Sequence, residues 1–81
     1  MDLVEGGDAE VVEFKVPAKA RVLKRTLADM RFPRAAIVGA VIRGNQNFIP
    51  GGDFRFEEGD RAVIFTLSEA LPELERLFRG R

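Results

Sequence analysis

The 81-residue chain contains no cysteine, histidine, tryptophan or tyrosine. Without cysteine it can form neither a disulfide framework nor a thiolate metal site. Without histidine it lacks the side chain that most often transfers protons near neutral pH and the commonest zinc ligand. Cysteine is also the best protein nucleophile. Because it is missing, the composition argues against an enzyme, and we expect a non-catalytic domain.

The sequence also lacks an excess of charge and any long apolar run. Its 13 basic and 13 acidic residues give a formal net charge of zero, which argues against a nucleic-acid partner. The longest apolar run, residues 35–42, is far shorter than the roughly 20 residues of a membrane-spanning helix. The acidic, glycine-containing residues 1–9 do not resemble a signal peptide. We therefore expect a cytoplasmic protein with one domain over residues 10–81, preceded by a linker or cut end at residues 1–9.

Charge is nevertheless segregated along the chain. Residues 1–13 carry five acids and no base, residues 15–34 carry seven bases and one acid, and residues 53–75 carry seven acids and two bases. A basic block of this kind can bind an anionic ligand or partner. Acids and bases from the three blocks can equally pair across the fold, and the sequence leaves both alternatives open.

The first half of the chain predicts a strand, a helix and a second strand. Apolar residues alternate with charged ones over residues 10–16, which predicts a strand with one buried face. Apolar spacings of four and three over residues 22–30 predict a short helix that Pro33 ends. Residues 35–43 are continuously apolar and β-branched, which predicts a central strand covered on both faces. Within it, Gly39 predicts a bulge or a close approach of another group to the backbone.

The second half predicts short strands followed by a helix. Strands are expected at residues 48–49, 54–56 and 61–66, separated by turns rich in glycine, asparagine and aspartate. Ser68 is the expected N-cap of the last helix, whose apolar face consists of Leu71, Leu74, Leu77 and Phe78. The fold class is therefore α+β: a small β-α-β-β-β-α unit with helices packed on one face of the sheet.

Several of these segments together resemble a known family. They are EFKV at residues 13–16, LADMRFP at 27–33, IVGAVIRG at 37–44, IPGGD at 49–53 and GDRAVIF at 59–65. The pattern is similar to a TrkA-C domain, the C-terminal domain of RCK-type (regulator of potassium conductance) proteins. The run ALPELERLF at residues 70–78 resembles the end of the branch that serves Trk-type potassium uptake.

The resemblance implies a domain that usually dimerises and follows an N-terminal Rossmann-like domain that binds NAD or ATP. Together the two gate a membrane potassium channel from the cytoplasm. This chain contains no Gly-x-Gly-x-x-Gly motif, so no cofactor is expected in it. The expected function is that of a regulatory domain of a potassium transport system. Its expected partners are a second copy, the nucleotide-binding RCK domain of the parent protein and a membrane transporter subunit.

The resemblance also implies a candidate ligand site. Some similar domains bind cyclic di-AMP at the dimer interface, where an arginine after the central strand meets phosphate and apolar residues sandwich the base. The matching positions here are Ile37, Val38 and Arg43, with Asn45 and Phe48 beside them. A guanidinium suits phosphate because it donates two parallel hydrogen bonds. The alternative function is therefore sensing of cyclic di-AMP or another small anion, and the competing interpretation of Arg43 is a strand-end arginine that reaches solvent.

Three further assignments concern phenylalanines and acids. Most of the seven phenylalanines are expected in the core, namely Phe14, Phe54, Phe56, Phe65 and Phe78. Phe48 fits the core and a dimer interface equally well, and the expected dimer contact is the strand around residues 37–42 with the adjacent Phe48 strand. Asp53, Glu57, Glu58 and Asp60 lack the spacing of a calcium-binding loop, so a solvated acidic loop is expected there.

Overall fold

The computed structural model describes residues 8–80 of the chain. A four-stranded antiparallel sheet has the strand order β1-β4-β2-β3. The strands are β1 (Ala9–Lys15), β2 (Ala36–Arg43), β3 (Gln46–Phe48) and β4 (Arg61–Leu67). The one α-helix of the described part, α1 (Leu71–Leu77), follows the 3-10 turn Ser68–Ala70, and a second 3-10 turn lies at Arg21–Lys24. The predicted α+β class is confirmed.

The predicted linker falls mostly on residues 1–7, which lie outside the described residues. The first strand begins at Ala9, one residue before the predicted start. No helix of the described part is long and apolar enough to cross a membrane.

One face of the sheet packs against α1 and the connecting loops. The alternation predicted for β1 is confirmed, because Val12 and Phe14 pack against the core and Val16 is buried. Leu74 and Phe78 bring the apolar face of α1 into the same core. Each large apolar side chain that is fully buried contributes about 1.5–3 kcal/mol relative to an exposed one, so this face supplies most of the packing energy.

The phenylalanine rings on the core side form a continuous chain of contacts. Phe14 stacks on Phe78 with centroids 4.9 Å apart, and Phe78 meets Phe56 edge to face at 5.6 Å. Phe56 contacts Phe54 at 5.3 Å, and Phe54 contacts Phe48 at 5.6 Å. These separations are those of favourable aromatic pairs. Phe48, half-buried, is thus part of the intramolecular packing.

The helix predicted over residues 22–30 is wrong. Only the four residues Arg21–Lys24 form a 3-10 turn, and the chain becomes extended at Arg25, with φ −142° and ψ 164°. The apolar spacing that predicted a helix is nevertheless used, because Met30 is buried and Leu23 and Leu27 pack against the core. An irregular segment reaches the core here with the same residues that a helix would have used.

Backbone hydrogen bonds explain why this segment is not helical. The amide of Leu27 donates to the carbonyl of Phe54 at 2.9 Å, and the amide of Ala28 donates to Gly52 at 2.8 Å. Backbone donors must find partners when they are removed from water. The loop that precedes β4 supplies those partners, so intrahelical bonds are not needed.

Two other predictions of secondary structure, a strand and a helix start, are wrong. Residues 54–56 form no strand, because the amide of Phe54 closes a turn onto Gly51 at 3.1 Å instead of joining the sheet. The C-terminal α-helix begins at Leu71, and its N-cap is Ala70 instead of the predicted Ser68. The Ser68 hydroxyl donates to the Glu10 carboxylate at 3.0 Å, so it links this turn to β1.

Gly39 confirms both expectations for its position. The register passes from Val38 opposite Ile64 to Ala40 opposite Val63, so Gly39 is the extra residue of a β-bulge in β2. A Cβ atom at Gly39 would lie 2.5 Å from the Phe65 ring. Glycine is therefore required by the aromatic ring that covers it.

Candidate functional site

The face of the sheet that points away from α1 carries a row of exposed apolar side chains. Val11 lies opposite Phe65, and Phe65 lies opposite Ile37, so the three residues cross β1, β4 and β2 side by side. Their exposed fractions are 63%, 53% and 67%, and Leu67 on the same face of β4 is 44% exposed. We call Val11, Ile37, Phe65 and Leu67 the apolar face.

The apolar face corrects two predictions. Among the residues that the structure describes, the central strand β2 is covered on one face only, because Ile37 is exposed. Phe65 is likewise outside the core. The sequence did contain a signal for this surface, since both β2 and β4 are apolar at consecutive positions. The prediction assumed that this chain itself covers both faces of the central strand.

The apolar face is concave. It lines a depression of about 560 Å³, to which Ala9, Ala35, Glu10 and Thr66 also contribute. Contiguous exposed apolar patches on small soluble domains mark interaction surfaces. The apolar face is therefore a candidate interaction surface.

Arg43 at the end of β2 is held by a buried carboxylate. Its Nε donates to Asp60 Oδ1 at 2.8 Å and its Nη2 donates to Asp60 Oδ2 at 2.9 Å, a bidentate pair. Nη2 also donates to the carbonyl of Arg55 at 3.1 Å, and Nη1 lies 3.3 Å from the Glu57 carboxylate. The side chain of Asp60 is wholly buried, so the pair anchors the loop before β4 to the end of β2.

Aromatic rings complete the surroundings of Arg43. Its guanidinium carbon lies 4.8 Å from the ring centroid of Phe48 and 5.3 Å from that of Phe54, distances at which a cation is attracted to an aromatic face. The interpretation of Arg43 as an arginine that simply reaches solvent is therefore wrong.

The hydrogen bonds of this cluster keep both partners charged. Burial alone would raise the pKa of Asp60, but hydrogen bonds from Arg43 and from the Glu57 amide, together with the charge of Arg43, hold it below its ordinary value. The hydrogen bond to Asp60 raises the pKa of Arg43 despite the opposing effect of burial. The pair is therefore ionised under ordinary conditions.

The five residues predicted to bind a ligand fall into two places. Arg43, Asn45 and Phe48 lie at the turn end of the β2-β3 hairpin, where Asn45 is exposed. Ile37 is six residues before Arg43, roughly 20 Å away along the strand, and lies on the apolar face. Val38 is buried on the opposite face of the sheet. Within one copy of the chain, the structure does not bring all five together.

Four basic residues of the 15–34 block line a single groove of about 580 Å³. They are Arg21, Lys24, Arg25 and Arg31, accompanied by Asp29, Met30 and Leu77. We call this the basic groove. Over residues 8–80, none of the four basic side chains forms an ion pair, whereas Arg43 and Arg61 pair with acids elsewhere. Pairing of this block with acids across the fold is thus not seen in the described part of the chain.

Sequence reasoning identified the basic block but missed the groove. A helix over residues 22–30 would have placed Lys24 and Arg25 on its solvent side. Because the chain is extended at Arg25, Arg21, Arg25 and Arg31 instead surround a common space. The local composition predicts the positive charge of this segment, whereas the groove depends on the conformation of the loop.

The acidic loop of residues 53–60 holds no metal cluster. No group of three or more acidic side chains in the described residues is arranged to bind a metal ion. Asp60, the one buried acid of this loop, is occupied by Arg43.

These features define a small α+β domain, with a sheet that is packed on one face and carries exposed apolar residues on the other. The chain belongs to the TrkA-C domain family, which matches residues 11–79. The predicted family resemblance is confirmed.

Relatives from archaea and bacteria match nearly the whole chain. The Trk system potassium uptake protein TrkA homolog 1 of Methanosarcina mazei is 40% identical over 76 residues, which cover 94% of this chain. A TrkA homolog of Archaeoglobus fulgidus is 36% identical over 95% of the chain, and the TrkA protein of Haemophilus influenzae is 32% identical over 90%. The chain spans 17% of the length of each of these relatives.

A solved structure shares the fold. It is described as "Structure of RCK domain with cda", is 25% identical and superposes with a TM-score of 0.71. The match covers 83% of this chain and 96% of that one.

Proposed function

We propose that this chain is a non-catalytic, cytoplasmic regulatory domain of a Trk-type potassium uptake protein. Membership of the TrkA-C family and the names of the relatives support this function. In this role the domain pairs with a second copy and passes the state of a preceding nucleotide-binding RCK domain, which holds NAD or ATP, to a membrane transporter subunit. Such a signal requires that one arrangement of the pair be favoured by the bound domain or ligand.

The apolar face is the observation that carries the proposal. Val11, Phe65 and Ile37 form an unbroken row across three strands and are all more than half exposed. A twofold dimer buries the same patch from both copies, so one apolar row covers its own counterpart. We therefore assign the dimer contact to the apolar face. The dimer contact predicted from sequence included both Ile37 and Phe48. The apolar face contains Ile37 but not Phe48.

Sedimentation of the 81-residue chain tests the dimer. We expect the natural sequence to self-associate at micromolar concentration and Ile37→Glu to weaken association at least about tenfold, because each dimer would bury two unpaired carboxylates. Ile49→Glu is the matched control, since Ile49 is 89% exposed but lies outside the apolar face. A natural chain that stays monomeric at high micromolar concentration would overturn pairing with a second copy and leave another domain of the longer protein as the occupant.

Ligand sensing is a second candidate function. The structural relative described with "cda" supports it, and the site would use the predicted residues Ile37, Val38, Arg43, Asn45 and Phe48. A cyclic di-AMP phosphate at Arg43 would have to share the guanidinium with Asp60. Ile37 would have to come from the second copy if both ends of the site touch one ligand.

Thermal unfolding with cyclic di-AMP tests this candidate. A ligand at about 100 times its dissociation constant stabilises by roughly 2.7 kcal/mol, which raises the midpoint of a domain this size by about 10–20 °C. The expected shift is reduced in Asn45→Ala, a substitution at an exposed position of the β2-β3 turn. Cyclic di-GMP is the matched control, because it differs from cyclic di-AMP only in its bases. An equal shift with both dinucleotides, or a shift that survives undiminished in Asn45→Ala, would count against a specific site.

A further inference from the structure

We infer that the basic groove binds a small soluble molecule that carries two or more phosphates on an apolar or planar body. This site is distinct from the apolar face and from the Arg43 cluster, and it goes beyond the proposed function. Its phosphate-binding groups are Arg21, Lys24, Arg25 and Arg31, and its apolar wall is formed by Met30 and Leu77.

The charges of the groove select an anion with more than one negative group. Four bases and a single acid, Asp29, line it, which leaves a local charge of +3 at neutral pH. Guanidinium groups bind phosphate through paired, charge-assisted hydrogen bonds. Three arginines around one space provide more such donors than a single carboxylate or chloride ion can use.

The fold does not use these charges itself in the described residues. Arg43 and Arg61 show that arginines in this domain pair with acids where the fold requires it, with Asp60 at 2.8 Å and Glu13 at 3.2 Å. The groove cations have no such acid partner within residues 8–80. Like charges held together without neutralisation repel one another, and a bound polyanion removes that repulsion.

The groove also has the shape of a small-molecule site. Its volume of about 580 Å³ lies within the roughly 300–1,000 Å³ of typical ligand pockets. Met30 is only 8% exposed and Leu77 is half-buried, so the apolar wall is fixed by the core. The Asp29 carboxylate can accept a hydrogen bond from a hydroxyl or amino group on the body of the ligand. These features favour a nucleotide-like body over inorganic phosphate.

The walls of the groove are held in place before any ligand arrives. The amides of Leu27 and Ala28 donate to the loop carbonyls of Phe54 and Gly52, which fixes the chain between Arg25 and Arg31. A preformed site does not have to order its own loop on binding, so less affinity is lost.

Calorimetric titration of the 81-residue chain with ATP and with pyrophosphate tests the inference. At about 20 mM salt we expect saturable binding of both probes, with ATP at least about tenfold tighter because only ATP contacts the apolar wall. Arg25→Glu and Arg31→Glu should each weaken ATP binding at least about tenfold, the loss expected from one charge-assisted phosphate contact. Arg34→Glu is the matched control: it makes the same charge change in the same block but does not line the groove, and it should weaken ATP binding less than about threefold.

Several results would overturn the inference. They are an absence of saturation with either probe, an equal loss in Arg34→Glu, or binding only to vesicles that contain phosphatidylglycerol. Pyrophosphate binding as tight as ATP binding would refute the role of Met30 and Leu77. Circular dichroism confirms that each variant is folded, and Arg25→Gln replaces Arg25→Glu if the latter is not. Ile37→Glu should bind ATP normally, so failure of the dimer and failure of this site are distinguishable.

Discussion

The Asp60 carboxylate accepts hydrogen bonds from Arg43 Nε, Arg43 Nη2 and the amide of Glu57. These bonds satisfy a charge that has no access to water, and they fix the loop before β4 against the end of β2. A buried charge is tolerated only with such partners. The pair is therefore a structural requirement of this end of the sheet.

Replacement of Asp60 by asparagine should lower the free energy of unfolding by about 3 kcal/mol, because Arg43 would lose its bidentate buried partner and keep only the exposed Glu57 carboxylate as a counter-ion. Urea unfolding measures the change. Asp53→Asn is the control, since Asp53 is exposed in the neighbouring turn, and it should change stability by less than about 0.5 kcal/mol. Equal effects of the two substitutions would refute this role of Asp60.

The same pair predicts a dependence on pH. The pKa of Asp60 is lowered in the folded chain from its ordinary 3.8, so its carboxylate stabilises the fold fully above that pH and progressively less as the pH falls through the folded-state pKa. The gap in unfolding free energy between the natural chain and Asp60→Asn should therefore be constant from pH 7 to about 5 and shrink below 4. A gap that is unchanged at pH 2.5 would contradict this assignment.

At the scale of elements, the bulge in β2 shows how one small residue positions a functional surface. Gly39 interrupts the pairing of β2 with β4 and leaves room for the Phe65 ring. Its φ angle is not positive, unlike those of Gly44 and Gly59. The requirement for glycine is therefore steric and comes from the ring above it.

The substitution Gly39→Ala should destabilise the chain by about 1–3 kcal/mol, since the new methyl group would displace the Phe65 ring. In the Phe65→Ala background the same change should be nearly neutral, so the double variant is less destabilised than the sum of the two single variants. Gly51→Ala, whose Cβ would meet only an ordinary contact at 3.7 Å, is the control. Thermal unfolding of the four variants measures the cycle, and additive effects would show that the ring is not the cause.

The segment before β2 shows the limit of local patterns. Its apolar spacing correctly identified Met30 as a core residue and Leu23 and Leu27 as residues that pack against the core, but it wrongly predicted a helix. A neighbouring loop, more than 20 residues away in the sequence, provides the carbonyls that bind Leu27 and Ala28. Helices this short are marginal without tertiary support, so these long-range bonds decide the backbone conformation.

At the scale of the whole molecule, the elements within residues 8–80 cover one face of the sheet. Small domains bury a lower fraction of their surface than large ones, and in this described part α1 and the loops cover the side that contains Ile64 and Leu74. The apolar face is the consequence. Its burial by a second copy would couple folding to association.

The dimer proposed above therefore has a thermodynamic signature as well as a hydrodynamic one. The unfolding midpoint of the natural chain should rise with protein concentration, because a partner that binds only the folded state stabilises it by mass action. The midpoint of Ile37→Glu should be independent of concentration, whereas Ile49→Glu should behave as the natural chain does. Concentration-independent midpoints in all three would contradict the dimer.

The sequence by itself determined what depends on neighbouring residues: the strands of the sheet, the buried side of α1, the bulge at Gly39, the basic block and the family. These follow from local periodicity, turn chemistry and motif spacing. Only the tertiary structure decided what depends on distant partners. The bond between Arg43 and Asp60, the exposure of Ile37 and Phe65, and the groove around Arg25 and Arg31 each depend on segments brought together by folding. No local pattern specifies which face of an apolar strand its own chain leaves uncovered.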